Sequence, residues 1–174
     1  MHLNDALDLL FRDAVSVTVR LPTYTCLRQS FFSNAMAAPD CSCSVRVVDV
    51  YPYRMQSDVL ELLLLRRADN VSYAGSWRMV GGKIESGETA WQAALRELRE
   101  ETGMTPGRFW TIPSLNQFYE WQHDRVNLIP AFAAEVDGRP VLNHEHDTFE
   151  WLSVEDATRR LHWPEQQRLM QLLS

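Results

Sequence analysis

The 174-residue chain is 45% hydrophobic, 23% charged and 10% aromatic, enough apolar content for one ordinary domain with a buried core and no stapling. Its 17 basic and 23 acidic residues leave a net charge of −6, which argues against a nucleic-acid polymer as partner and lets phosphate esters approach only with divalent cations in between. Seven glycines and eight prolines exclude collagen-like or low-complexity character, and apolar runs such as Leu62–Leu65 are too short to cross a bilayer. Cys26, Cys41 and Cys43 are an odd set that frames neither a disulfide scaffold nor a zinc site, and they fit a reducing, cytoplasmic setting.

In chain order, Leu3, Leu7, Leu10 and Phe11 have helical spacing, and Val15, Val17 and Val19 alternate like a strand. No basic region leads an apolar core, so the start does not read as a secretory signal. Ser33-Asn34-Ala35 resembles a cloning linker, which would put the native start at Met36. Residues 1–44 are therefore set apart as an extension, and 45–174 as the domain.

Val45, Val47 and Val50 fit a half-buried strand, and Val59 to Leu65 a strand buried on both faces. A polar loop follows from Asp69 to Ser76, then a glycine-rich loop from Gly81 to Gly87. Thr89 to Thr102 reads as a helix, with Thr89 and Gln92 in capping-box spacing and Gly103 just past its end. Strand-like runs follow at Phe109–Ile112, Gln117–Trp121, Leu128–Val136 and Phe149–Leu152. Ser153 can cap a helix over Val154–Leu161, and Pro164 suits the first turn of a last helix ending near Leu173. Elements mixed without regular alternation point to an α+β domain of α/β/α layering.

The chemistry concentrates between Gly81 and Met104. At about 100° per residue, Trp91, Ala94, Leu95, Leu98 and Thr102 share one face of the helix, and Glu97, Glu100 and Glu101 cluster on the other side. Glu97 and Glu101 lie one turn apart, where like charges cost a helix roughly 0.2–0.5 kcal/mol per pair. A divalent cation between them reverses that sign, and oxygen-only ligands suit Mg²⁺ or Mn²⁺.

The string runs Gly82, five residues, Glu88, seven residues, then Arg96-Glu97-Leu98-Arg99-Glu100-Glu101-Thr102-Gly103-Met104. It resembles the complete signature of the Nudix hydrolases, whose seven fixed identities arise by chance roughly once in a billion trials. The resemblance implies a mixed central sheet between helices and hydrolysis of a nucleoside diphosphate linked to a further group. It implies Glu97, Glu100 and Glu101 as holders of the metal, with the Gly81 carbonyl as a further ligand. Arg96 would orient the glutamates, Glu88 would fix loop to helix, and Glu97 or Glu100 would take the proton of the attacking water.

Downstream, His144-Glu145-His146-Asp147 before Trp151-Leu152 resembles a pattern in the dihydroneopterin triphosphate pyrophosphatase branch, where the Glu before His joins the metal site. That implies Glu145 as a metal ligand. The resemblance further implies a substrate contact at Arg66 or Arg67 and another around His162-Trp163; Lys83 is a further substrate-binding candidate, and Trp77, Phe118, Tyr119 and Trp121 are candidates for lining a base pocket.

Subgroup marks for ADP-ribose and dinucleoside polyphosphate hydrolases are out of register: no proline has the ADP-ribose spacing, and Tyr119 falls early for the other class. A (deoxy)nucleoside or pterin triphosphate, split to monophosphate and pyrophosphate, is the expected substrate. A nucleotide-sensing domain without catalysis and a prenyl diphosphate isomerase are the rivals. The first usually lacks a motif glutamate and the second needs a Cys in a recognisable setting, so neither matches. The spacing leaves monomer and homodimer both open.

Overall fold

The computed structural model describes residues 41–173, so the helical and strand-like spacings before residue 20 and the tripeptide at 33–35 lie outside the described residues. Eight strands and three helices follow in the order β1 (Ser42–Ser44), β2 (Val47–Gln56), β3 (Val59–Arg67), β4 (Trp77–Arg78), β5 (Val80–Lys83), α1 (Ala90–Thr102), β6 (Arg108–Glu120), β7 (Arg125–Glu135), β8 (His146–Ser153), α2 (Val154–Arg160) and α3 (Pro164–Met170). A short 3₁₀ turn, Trp121–His123, joins β6 to β7.

All eight strands join one mixed sheet. β2 is its hub: it runs parallel to β7 through Asp49–Tyr53, antiparallel to β5 through Val47–Val50, and antiparallel to β3 through Tyr53–Gln56. β8 pairs with β3, β6 pairs with β7, and both pairings are antiparallel.

Alternation along β3 divides the core. Leu63 and Leu65 pack with Val48, Val50, Val80 and Phe132 against Ala93, Ala94 and Leu98 of α1. Leu62 and Leu64 pack on the other face with Tyr51, Met79 and Ala131 against Ala157, Leu161, Leu169 and Met170 of the α2–α3 region. Each of these four leucines is fully buried, a burial that contributes about 2 kcal/mol per side chain. The result is the α/β/α sandwich expected for the Nudix fold.

Helix α1 starts and stops as its ends dictate. The Thr89 N–H donates to Gln92 Oε1 at 2.9 Å, and Gly103 takes a left-handed φ of 69° while its N–H reaches Arg99 O at 2.8 Å. Ser153 Oγ accepts from Asp156 N at the start of α2, and Pro164 opens α3.

Four local readings are corrected. Trp91 is half exposed, because the buried arc of α1 is turned toward Ala93, Ala94, Leu98 and Glu101 and leaves position 91 at its margin. Gly81, Gly82 and Lys83 form β5 rather than the start of a loop, since β2 supplies the ladder that glycines cannot favour alone. Pro113 does not divide two strands: β6 runs through it, and a register shift between Thr111 and Leu115 absorbs the missing donor. Val45 lies outside β2 and is half exposed, whereas Ser42–Ser44, with little strand propensity, pairs with β7.

Candidate active site

Arg96 is the mechanical centre of the site. Its Nε and Nη2 donate to the two carboxylate oxygens of Glu88 at 3.0 Å each. Nη1 reaches Glu97 Oε1 at 2.9 Å and Glu100 Oε2 at 3.0 Å, and Nη2 also reaches Lys83 O at 2.9 Å. A fork-shaped cation with five donors can hold this arrangement, and a lysine cannot. Glu88 in turn accepts from Glu85 N at 3.1 Å, so one guanidinium fastens the loop of residues 84–89 to the middle of α1. Hydrogen bonds from Arg96 hold the Glu88 carboxyl below the usual carboxylate range.

The three helix glutamates are not equivalent. Glu100 is exposed and tied to Arg96. Glu97 is mostly buried against β5, and a methyl group added at Gly82 would overlap its carboxylate, so the first glycine of the motif leaves room for that side chain. Glu101 is only 2% exposed and lies on the sheet-facing side of α1, not with Glu100 on the outer face. Burial pushes its carboxyl up to about 8, against Arg78 and the Gly81 N–H; the nearby Glu97 and Glu145 add to the rise. Burial likewise raises Glu97, countered by Arg96.

Glu145 precedes β8 and reaches the same region: its charge acts on both Glu97 and Glu101. Arg67 Nη1 holds Glu145 Oε2 at 2.5 Å and lowers that carboxyl, while Arg67 Nε donates to Ser72 O at 3.2 Å. Arg66 is paired with Asp147 and, at 3.2 Å, with Asp69. Both arginines at the end of β3 are thus held by acids of their own chain. His146 beside Glu145 is buried, which lowers its imidazole to about 4, and its Nε2 has no partner.

The remaining candidates are scattered. Lys83 is exposed at the end of β5. Trp163 is 37% exposed and packs edge-on against Tyr73 and His162. Trp77 lies under Arg160, whose guanidinium carbon is 4.9 Å from the ring centroid. Phe118, Tyr119 and Trp121 are exposed on the β6–β7 hairpin, and Tyr119 donates to Asp124 Oδ1 at 2.8 Å.

Two features carry no signal in the sequence pattern. Arg78 on β4 donates Nη2 to Gly81 O at 3.3 Å and Nε to Met79 O at 3.2 Å, without any carboxylate partner. On β2, buried Asp49 accepts from Asn116 Nδ2 at 2.6 Å and Gln166 Nε2 at 3.2 Å, joining the central strand to β6 and α3. The alternation of β2 puts Asp49 inward, but its partners are 67 and 117 residues away and only the fold brings them in.

Among the described residues no three acidic, His or Cys side chains form a ready-made cage. The donors nevertheless fit a hard divalent cation. Glu101 Oε2 is buried without any hydrogen-bond partner, and the chemistry offered by Glu97, Glu101, Glu145 and the Gly81 carbonyl is oxygen throughout. A buried carboxylate oxygen left unpartnered costs free energy that a cation would recover.

The profile of the NUDIX domain matches residues 44–173. The chain belongs to the Nudix family, and with its signature complete it is an enzyme of the Nudix hydrolase class. The 8-oxo-dGTP diphosphatase of Escherichia coli K12 is 36% identical over 94 residues, covering 54% of this chain and 70% of that protein. An octanoyltransferase of Myxococcus xanthus is 31% identical over 140 residues, 75% of this chain but 36% of that protein, so the chain spans about a third of this relative. The fold matches the crystal structure of a Caenorhabditis elegans Ap4A hydrolase binary complex with a TM-score of 0.62 at 24% identity, covering 75% of this chain and 95% of that one. Among the described residues no helix is long and apolar enough to cross a membrane.

Proposed function

We propose that residues 45–174 are a Mg²⁺- or Mn²⁺-dependent pyrophosphohydrolase that converts a nucleoside or pterin triphosphate to monophosphate and pyrophosphate. The observation that carries this reading is Glu101: a carboxylate 2% exposed, with one oxygen unpartnered, next to Glu97 and Glu145 and under the Gly81 backbone. Such an arrangement is costly for a fold unless a cation completes it. The similarity to a diphosphatase of an oxidised nucleoside triphosphate supports the choice of a triphosphate.

Glu97, Glu100, Glu101, Glu145 and the Gly81 carbonyl would hold the metal. When bound, the metal neutralises phosphate charge and activates the attacking water. Arg96 keeps Glu97 and Glu100 oriented, and Glu88 keeps Arg96 in place. Glu97 or Glu100 would take the proton of the attacking water; at Glu97 burial raises the carboxyl against the opposing effect of Arg96. Arg66, Arg67, Lys83 and Trp163 remain the candidates for contacts to the rest of the nucleotide, and the first two would first have to share or leave their acidic partners.

The test is a turnover panel of the full chain with Mg²⁺ across dNTPs, NTPs, oxidised dGTP, dihydroneopterin triphosphate, ADP-ribose and diadenosine tetraphosphate. Pyrophosphate plus monophosphate from a triphosphate is the expected result. Cleavage of ADP-ribose or the dinucleotide alone would move the chain to another branch, and binding without turnover would make it a sensor.

A further inference from the structure

Four arginines surround the acidic cluster, and three of them are spoken for. Arg66 holds Asp147 and Asp69, Arg67 holds Glu145, and Arg96 holds Glu88, Glu97 and Glu100. Arg78 forms no ion pair and is only half-buried; its guanidinium leans on two backbone carbonyls, those of Met79 and Gly81. Its charge is felt by Asp49 and Glu101, where it partly offsets the effect of burial on both carboxyls. A guanidinium beside acids yet bonded only to neutral carbonyls is an available charge, since its hydrogen bonds to a carboxylate or phosphate would be roughly twice as strong.

The Gly81 carbonyl is claimed twice: by Arg78 in this structure and, on the reading of the preceding section, by the metal. A carbonyl oxygen facing a divalent cation is a poor partner for a guanidinium beside it, because the two positive charges repel. We propose that Arg78 is an exchangeable cation, which occupies the Gly81 carbonyl and screens Glu101 while no metal is bound, and moves to the phosphate chain of the substrate when the metal takes that carbonyl. This rests on the pyrophosphohydrolase reading and adds to it a phosphate-binding residue outside the signature. The chemistry recognised is a di- or triphosphate oxygen, for which a planar guanidinium is well matched.

The role has two consequences of opposite sign, which a merely structural arginine would not produce. Arg78→Gln removes the charge but keeps an amide able to donate to the same carbonyls. With chelator-treated full chain, Mn²⁺ alone followed by electron paramagnetic resonance should bind roughly 3- to 10-fold more tightly to Arg78→Gln than to wild type, since a competing positive charge is gone. With saturating Mn²⁺, inorganic pyrophosphate followed by calorimetry should bind roughly 10- to 100-fold more weakly, the loss of a charge-assisted contact. Arg78→Lys, which keeps the charge without the fork, should recover part of both effects.

Thermal unfolding of each variant near the wild-type temperature shows that the fold is retained. If the Arg78→Gln affinities for Mn²⁺ and pyrophosphate both stay within twofold of wild type while Glu101→Gln weakens Mn²⁺ binding, the metal reading stands and the role of Arg78 is overturned. Weaker Mn²⁺ binding by Arg78→Gln also overturns it, because the arginine would then be supporting the metal site and not competing with the metal. If wild type binds no Mn²⁺, the underlying reading fails with it.

Discussion

The loop–helix region of residues 81–104 and the far end of the β6–β7 hairpin, residues 117–128, use their polar residues in contrasting ways. In the first, Arg96 serves two backbone-linked units, Glu97 is shaped around Gly82, and Glu101 is buried with an oxygen unpartnered. In the second, Glu120 accepts from Arg125 and Asn127 and pairs with His123, and every donor named finds its acid. The hairpin satisfies its own polar groups and leaves aromatic rings in solvent; the loop and helix leave a buried carboxyl oxygen unsatisfied. Completed networks hold a shape, whereas an incomplete one marks where something else binds.

That contrast can be broken most severely at Glu101. Glu101→Gln should lower turnover on the order of 10²–10³-fold, as for loss of one charge-stabilising group at a preorganised site, with the fold retained by circular dichroism. The same residue should govern the pH dependence of the metal-free protein. A carboxyl raised from 4.5 to about 8 is protonated in the fold at pH values where the unfolded chain has lost that proton. Its contribution is therefore fully present below about pH 4.5 and is lost as pH rises toward 8, on the order of 3–5 kcal/mol in total. Denaturant titrations in chelator should show this decline most clearly between about pH 6.5 and 8, above the range in which the lowered imidazole of buried His146 acts with the opposite sign, and Glu101→Gln should flatten it.

Next in size is the clamp. Arg96→Ala should cost about 2–3 kcal/mol of stability, the scale of charged hydrogen bonds left unmade at Glu88 and Glu97, measured by the urea midpoint. Glu145→Gln should reduce Mn²⁺ affinity and turnover by roughly 10- to 100-fold, while an unchanged rate would reduce the segment before β8 to a plain connection. The smallest effect belongs to the hairpin. Trp121 is 73% exposed, and Trp121→Ala should leave turnover within twofold and stability within about 0.5 kcal/mol. A large loss there would show that the exposed rings meet the substrate after all.

The contacts legible in the sequence are those whose cause is local. The spacing of Glu88, Arg96, Glu97 and Glu100 puts the four side chains within reach through the helix and the turn before it, and the structure joins them through one guanidinium. The caps at Thr89, Gly103 and Ser153 likewise depend on residues a few places away. The failures needed distant partners. Helical periodicity centres the apolar face near Leu98 and Trp91, whereas the sheet is laid against an arc turned toward Ala93, Ala94 and Glu101, which leaves Trp91 at the margin. Helical spacing groups Glu101 with Glu97 and Glu100 away from the apolar face, and only the sheet laid against α1 buries it. Arg78, Asp49 and Asn116 belong to no local pattern; the eight-stranded sheet assembles them.

The clamp made by Arg96 also bears on how an ion would arrive. Because Lys83 O and Glu88 are already fastened to α1 by protein atoms alone, the segment before the helix is assembled in advance and little chain entropy is left to lose on loading. The work of binding is then chiefly the stripping of water from the incoming cation and of a proton from the buried acid, so uptake draws on solvation more than on folding.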